Sequence, residues 1–376
     1  MDPATPHAHP EPVAPAGVGA TLLATIGRVA ISVAVPIVAF VILWQGFLFL
    51  RDADAPKGVV VAVAILWGVG GVAGLYVLGN WLIGQLPGHI GARILPFLFV
   101  GPALAILAWY LLLPVARTLV LSFQNRDSTE LVGLANYVTA FTDPAFLEAI
   151  RNNLLWLVIG TVFTTGFGLL VAILAEHSIL GRPAKILIFM PMAISFVGAG
   201  IIWGQVYAAF PPNREQVGLL NGIVTAFGGD PVIWLQSEPW NTLFLIVILI
   251  WGQAGFAMVI LSAALRGVSD ELREAARIDG ASETQVYTRI VIPTIRPTII
   301  TVATTIAILT LKIFDIIKAT TNGNFGTQVI ATLQFDEAFR SFDYGTGAAL
   351  AIILLVAVSP VVWYNLRLFR SREVMR

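Results

Sequence analysis

NTLFLIVILIWGQAGFAMVILSAALR, residues 241–266, runs without a break into GVSDELREAARIDGASETQVYTRIVIPTIRP, residues 267–297. The first stretch carries no charge before Arg266. It is long enough to cross about 30 Å of hydrocarbon, which takes roughly 20 residues. In lipid only a helix satisfies the backbone of a lone segment, so it reads as a membrane-spanning helix. The second stretch predicts two short helices joined at a corner. Ser269 is placed to cap the first, and Asp270 and Glu271 suit the positive end of its dipole. Leu272, Ala275 and Ala276 recur at spacings of three and four and are expected on one face. Gly280 fits the left-handed position that ends a helix. Ser282 and Gln285 form a capping box for the second helix, which Pro293 is expected to end, with Pro297 at the entry to the next span.

Working outward, the same apolar pattern recurs along the chain. Eight spans are expected, at 29–50, 58–82, 94–116, 153–175, 186–209, 241–265, 298–318 and 345–366. The fold class is therefore an all-α integral membrane protein: a hairpin of two spans (29–90), then a six-helix core (91–376) containing the loop 267–297. Composition agrees. Of 376 residues 57% are hydrophobic and 12% charged, about half the charge of a soluble domain, and mean hydropathy is +0.84. The balance of 22 basic and 22 acidic residues gives no reason to expect nucleic acid as a partner. Cysteine is absent, which excludes disulfides and thiolate metal sites. Residues 1–28, rich in Pro and Ala at their start, are expected to be a disordered cytoplasmic tail and not a cleavable signal. Lys and Arg gather in the 267–297 loop and the C-terminal tail, which puts both termini and that loop in the cytoplasm.

Several residues inside the spans carry polarity or ring surface that a route for a polar solute needs. Lys312, Asp315 and Lys318 recur every three residues and would share one helix face. Either Lys312 and Asp315 pair internally, or they line the route, with Lys318 snorkelling outward. Trp203, Tyr207, Trp251, Phe256 and Phe314 are candidate stacking surfaces, although Trp and Tyr also mark membrane interfaces. Gln253, with Gly252 beside it, is an amide in mid-span that needs a partner. The histidines His7, His9, His89 and His177 are scattered, so no metal site or catalytic constellation is expected. No phosphate-binding loop of the form Gly-x-x-x-x-Gly-Lys-Ser/Thr occurs, so the chain is not expected to hydrolyse ATP.

Glu274-Ala275-Ala276, Asp279-Gly280-Ala281 and Ile290 with Ile292-Pro293 resemble the EAA loop of binding-protein-dependent ABC importer permeases. The stretch Trp251–Leu265, Phe314-Asp315, the Thr321, Gly323 and Thr327 pattern, and Gly218-Leu219-Leu220-Asn221 are similar to the carbohydrate-uptake branch. Within that branch the chain looks like the α-glucoside and glucosylglycerol permeases and less like the maltose and trehalose permeases. Asn324 and Phe325 stand where that branch has Gly-Pro, and the hairpin lies outside its six-span core.

The resemblance implies a permease subunit in the bacterial cytoplasmic membrane that moves a sugar. Its implied partners are an ATPase subunit dimer, a second related permease and an extracytoplasmic sugar-binding protein. ATP and Mg²⁺ would be used by the ATPase and no cofactor bound by this chain. Glu274 would pair with a basic residue of the ATPase, Ala275 and Ala276 would pack into its cleft, and Gly280 would allow the corner. Asp279, Ala281 and Pro293 complete the implied coupling set. Two other classes stand beside this one: an ion-coupled secondary transporter using Lys312 and Asp315, and an integral membrane enzyme.

Overall fold

The computed structural model describes residues 18–373 except Ala53, Pro87, His177 and Pro212. Most of the expected tail, with His7, His9 and also His177, lies outside the described residues. The remainder of that tail is helical from Val18. The elements in order are α1 (Val18–Asp52), α2 (Lys57–Gly84), α3 (Gly88–Leu121), α4 (Ala135–Thr142), α5 (Pro144–Glu176), α6 (Gly181–Phe189), α7 (Phe196–Val206), α8 (Leu219–Ala226), α9 (Asn241–Arg266), α10 (Asp270–Ile278), α11 (Glu283–Leu311), α12 (Asp315–Ala319), α13 (Ile330–Phe339) and α14 (Tyr344–Glu373). Seven helices are long and apolar enough to cross a membrane, and eight spans result when α6 and α7 count as one bent span. No strand occurs among the described residues.

The chain forms two compact units, one reaching to Pro114 and one from Val115 onward. In the first, α1 and α2 make a hairpin whose close approach depends on Gly46, where any Cβ would overlap the Trp67 indole. Tyr76 stacks on Phe99 at 5.6 Å between ring centres, and Leu98 closes against Gly79. No residue in the most apolar stretch of α1, α2 or α3 is buried.

The second unit is built around α9, half of whose span is buried. Lipid is as apolar as the side chains themselves, so association depends on close van der Waals approach and small residues. Gly168 of α5 meets α9 so closely that a Cβ would lie 2.5 Å from the Ala257 Cβ and 2.9 Å from the Ala254 carbonyl oxygen. Gly255 lies against the end of α6, where a Cβ would come within 2.5 Å of the Ile188 carbonyl oxygen and 2.7 Å of the Phe189 Cα. Along one end of the bundle Met258, Leu261, Leu265, Val286, Val291 and Ile306 form a continuous core. Toward the other end Trp156, Leu245, Leu249, Ile316 and Ile317 do the same.

Two expected spans differ in form. The stretch 186–209 is not one straight helix: α6 and α7 meet at 107°. Pro191 lies in the 3₁₀ turn that follows α6, Ile194 is extended, and the Ser195 hydroxyl caps α7 by accepting from the Gly198 N–H at 3.1 Å. The stretch 298–318 does not hold together as a helix either. The helix begins at Glu283, passes Pro293 and Pro297, and stops at Leu311. Pro293 fails to end it because a π turn at Tyr287–Val291 ends with only Ile292 between it and the proline, and such a turn already departs from the regular ladder that a proline would break.

Past Leu311 the chain reaches α13 through the short α12 and an irregular stretch, with left-handed φ at Asn322 (55°), Gly323 (85°), Phe325 (58°) and Gly326 (68°). A chain leaving a helix must find partners for its freed polar groups, and asparagines from neighbouring helices supply them. Asn153 donates to the Leu311 carbonyl at 3.0 Å and accepts from the Ile330 N–H at 2.8 Å. Asn152 donates to the carbonyls of Gly326 and Gln328, both at 2.8 Å, and Asn241 donates to the Phe325 carbonyl. Thr321 and Thr327 join hydroxyls at 2.6 Å across the turn.

Replacement of Asn153 by Leu strands a buried carbonyl and a buried N–H, at about 1–3 kcal/mol each. We expect N153L to lower the thermal unfolding midpoint in detergent by several degrees; an unchanged midpoint would refute the bridging role. G255L overpacks a contact whose neighbours are backbone atoms, and should destabilise by about 1–3 kcal/mol or more, read in the same assay.

Candidate functional site

The loop between α9 and α11 forms a rigid elbow. Ser269 occupies the N-cap position of α10 with extended backbone, but its side chain makes no capping bond. The far end is closed by two hydrogen bonds, from the Ala281 N–H to the Ala276 carbonyl (2.9 Å) and from the Gly280 N–H to the Arg277 carbonyl (3.0 Å). Together they make a Schellman motif, which needs a left-handed residue; Gly280 provides it with φ +84°. The expected Ser282–Gln285 capping box starts α11. Arg277 and Glu283 bridge the corner, with Nε to Oε1 at 2.6 Å and Nη2 to Oε2 at 3.2 Å. Hydrogen bonding to Glu283 holds the Arg277 guanidinium above its ordinary value. Both groups are exposed, so the pair orients the corner more than it stabilises it.

The faces of α10 differ from the expected ones. Arg273 and Ala276 point into the protein at 7% and 8% exposure, and Ala276 packs in the core with Val268, Val286 and Val291. At about 100° per residue, this turns Glu271, Glu274, Ala275 and Ile278 outward, and Ile278 is 86% exposed. Leu272, expected beside Ala276, sits on the flank and is half exposed. The reason is tertiary: Ala276 and Arg273 are both packed against the bundle, so the rotation does not rest on one side chain. Asp279 and Gly280 are exposed, Ala281 is half-buried, and Pro293 is exposed at the start of the regular part of α11.

Three of the aromatic candidates come together. Trp203 lies 5.3 Å from Tyr207 and 5.8 Å from Trp251 between ring centres, and Trp234 and Phe244 extend the cluster. Tyr207 is buried and its hydroxyl donates to the Phe244 carbonyl at 2.9 Å, so both its ring and its polar tip are occupied. Trp203 and Trp251 remain half-buried. Gln253 is half-buried and its amide has no partner among the described residues. Phe256 packs against the core on the elbow side, away from the aromatic cluster.

The expected charge face does not form. The helix ends before Lys312, so Lys312 is exposed and no ion pair joins it to Asp315 among the described residues. Instead Lys318 pairs with Asp336 of α13 at 2.8 Å and lies 4.6 Å over the Phe335 ring, and Arg340 reaches the same carboxylate at 3.3 Å. Phe314 stacks on Phe335 at 5.4 Å. Lys318 is thus tied to a neighbouring helix and does not snorkel.

Sequence reasoning passed over Asn152, Asn153, Asn241, Asp336 and Glu176. Asn221, the last residue of the Gly218-Leu219-Leu220-Asn221 pattern, bridges backbone groups. It is fully buried, donates to the carbonyls of Ala208 (3.1 Å) and Val232 (2.9 Å), and accepts from the Val232 N–H (2.9 Å) and the Trp234 indole (3.1 Å). Asparagine near the end of an apolar run is the signal that was there to find.

Residues 164–372 match the family described as binding-protein-dependent transport system inner membrane component. The osmoprotective compounds uptake permease protein GgtC of Synechocystis sp. is 50% identical over 279 residues, 74% of this chain and 100% of that protein. The alpha-glucoside transport system permease protein AglF of Rhizobium meliloti is 46% identical over 314 residues, 82% of this chain and 94% of that one. Among solved structures, a bacterial alginate ABC transporter in complex with an alginate pentasaccharide-bound periplasmic protein contains a chain with the same fold. Its TM-score is 0.64 at 23% identity, covering 74% of this chain and 94% of its own. With the match spanning more than half its length and relatives near 50% identity, the chain belongs to the inner-membrane permease components of binding-protein-dependent ABC transport systems, and is a transport subunit and not an enzyme.

Proposed function

We propose that this permease imports an α-glucoside, glucosylglycerol or a similar glycosylated solute, driven by a separate ATPase dimer that grips the α10 elbow. The observation that carries the reading is the elbow itself. A Schellman-closed corner at Gly280 holds Glu274, Ala275 and Ile278 outward on a helix whose other face is anchored in the bundle. A handle must be stiff and must have one free face, and this elbow has both properties. Glu274 pairs with a basic group of the ATPase, and Ala275 supplies the low profile that a cleft admits. Asp279, Gly280 and Ala281 form the corner. Ala276 supports the helix from beneath, and Pro293, beside the π turn, gives α11 a place to flex. ATP and Mg²⁺ belong to the ATPase. The elbow and both chain termini then face the cytoplasm, in agreement with the basic residues gathered there.

The solute enters from an extracytoplasmic binding protein and passes between this chain and a second, related permease. Support for the solute class comes from the names of the two relatives near 50% identity, one for osmoprotective compounds and one for alpha-glucosides. On this chain Trp203, Trp251 and Gln253 are the best-placed contacts, since rings stack on sugar C–H faces and the free amide accepts and donates to hydroxyls. Phe314, Lys312 and Asp315, next in sequence to the Ile313, Ile316 and Ile317 core against which Trp203 and Trp251 pack, are secondary ones. Tyr207 and Phe256 act on the route only by supporting their neighbours.

Two outcomes are expected in cells expressing the full transporter. E274A should reduce uptake to background while the protein remains in the membrane at its normal level, and A275W should do the same by filling the low profile; uptake at the original rate in both would sink the reading. W251A and Q253A should raise the half-saturating solute concentration more than they lower ATPase recruitment, measured by copurification.

A further inference from the structure

Arg273 precedes Glu274 in α10 and points the other way, into the bundle, at 7% exposure. A buried guanidinium is costly unless paired, and a position needing only packing would hold an apolar residue, as Ala276 and Val286 do. Its partners explain the choice. Nη2 donates to the Leu265 carbonyl at 2.7 Å, in the last turn of α9, where carbonyls lack intrahelical partners. Nη1 lies 3.6 Å from Oε1 of Glu176, the last residue of α5. The Nε of Arg273 and the Oε2 of Glu176 have no partner among the described residues, so the directed contacts of the guanidinium go to α9 and α5. The negative ends of two helices and one carboxylate thus converge on a single planar cation, whose rigid fork can hold two acceptors at fixed separation. These two helices are the pair joined without clearance at Gly168.

We propose that Arg273 is the positioning residue through which displacement of the elbow reaches α5 and α9 together, with Glu176 as its second anchor. The proposal rests on the reading of the elbow as the ATPase handle. Glu274 and Arg273 are adjacent residues on opposed faces of one short helix: the first takes the load and the second passes it on. Lysine, with a single point charge, could hold the Leu265 carbonyl or Glu176 but does not span both with the same geometry.

The test uses the complete transporter in proteoliposomes, with the binding protein saturated by whichever of trehalose, sucrose and glucosylglycerol stabilises it in a thermal-shift screen. ATP hydrolysis is measured with and without the loaded binding protein. We expect R273A to retain the ATPase on copurification and to keep basal hydrolysis, while stimulation by the binding protein falls at least tenfold. R273K should keep part of the stimulation, E176Q should lose part, and the R273A/E176Q double variant should be no worse than R273A. Stimulation of R273A to the wild-type extent, or loss of the ATPase from the R273A complex, would overturn the proposal, the second by reducing Arg273 to a folding role. Failure of the underlying reading looks different: a wild-type complex that does not retain the ATPase, or an E274A complex stimulated like wild type.

Discussion

A backbone amide or carbonyl inside a membrane has no water to fall back on, and the second unit of this protein is organised around that constraint. Where helices run unbroken the ladder satisfies it. Where they stop, a neighbouring side chain has to step in. Asn152, Asn153 and Asn241 do so for the irregular segment after Leu311, and Asn221 of α8 does so for the backbone of Ala208 and Val232 on either side of that helix. Each is 4% exposed or less, which leaves their amides no alternative partners. The irregular segment is therefore a defined piece of structure, held at several points along its length.

The same economy governs packing. Apolar side chains gain little from leaving lipid for one another, so helices hold together where their backbones come close. Gly168 and Gly255 set two such approaches around α9. A bundle joined at backbone contacts moves in blocks, because there is little slack between neighbours to absorb a displacement. That property suits a protein whose work is done by shifting helices between two global states that an energy source favours unequally.

Against this stiffness, the π turns at Trp156–Gly160 and Tyr287–Val291 and the 107° bend mark places where regular geometry is given up. One π turn, at Tyr287–Val291, lies between the elbow and the span that follows it, and lets Pro293 sit within a continuous helix. The bend between α6 and α7 brings the C-terminal end of α6 against Gly255. Neither feature is a defect of packing, since both are backed by buried residues on adjoining helices.

Fold class, the number of spans and the corner at Gly280 were legible from the chain alone, because each follows from local chemistry: apolar runs of sufficient length, a capping box, a residue able to adopt positive φ. The family resemblance was legible for the same reason, since Glu274 to Ala281 and Ile290 to Pro293 are contiguous or nearly so. What the sequence could not decide was rotation and partnership. Lys312, Asp315 and Lys318 keep a helical spacing, yet the helix breaks at Lys312, α12 starts afresh at Asp315, and Lys318 finds Asp336, which lies eighteen residues on. Ala275 and Ala276 are adjacent and alike, yet one faces out and the other in, because Val268, Val286 and Val291 pack with Ala276 while Arg273 reaches Leu265 and Glu176. Local propensity is written in neighbouring residues; the choice among faces and ion-pair partners depends on what other helices bring alongside, and only the assembled bundle settles it.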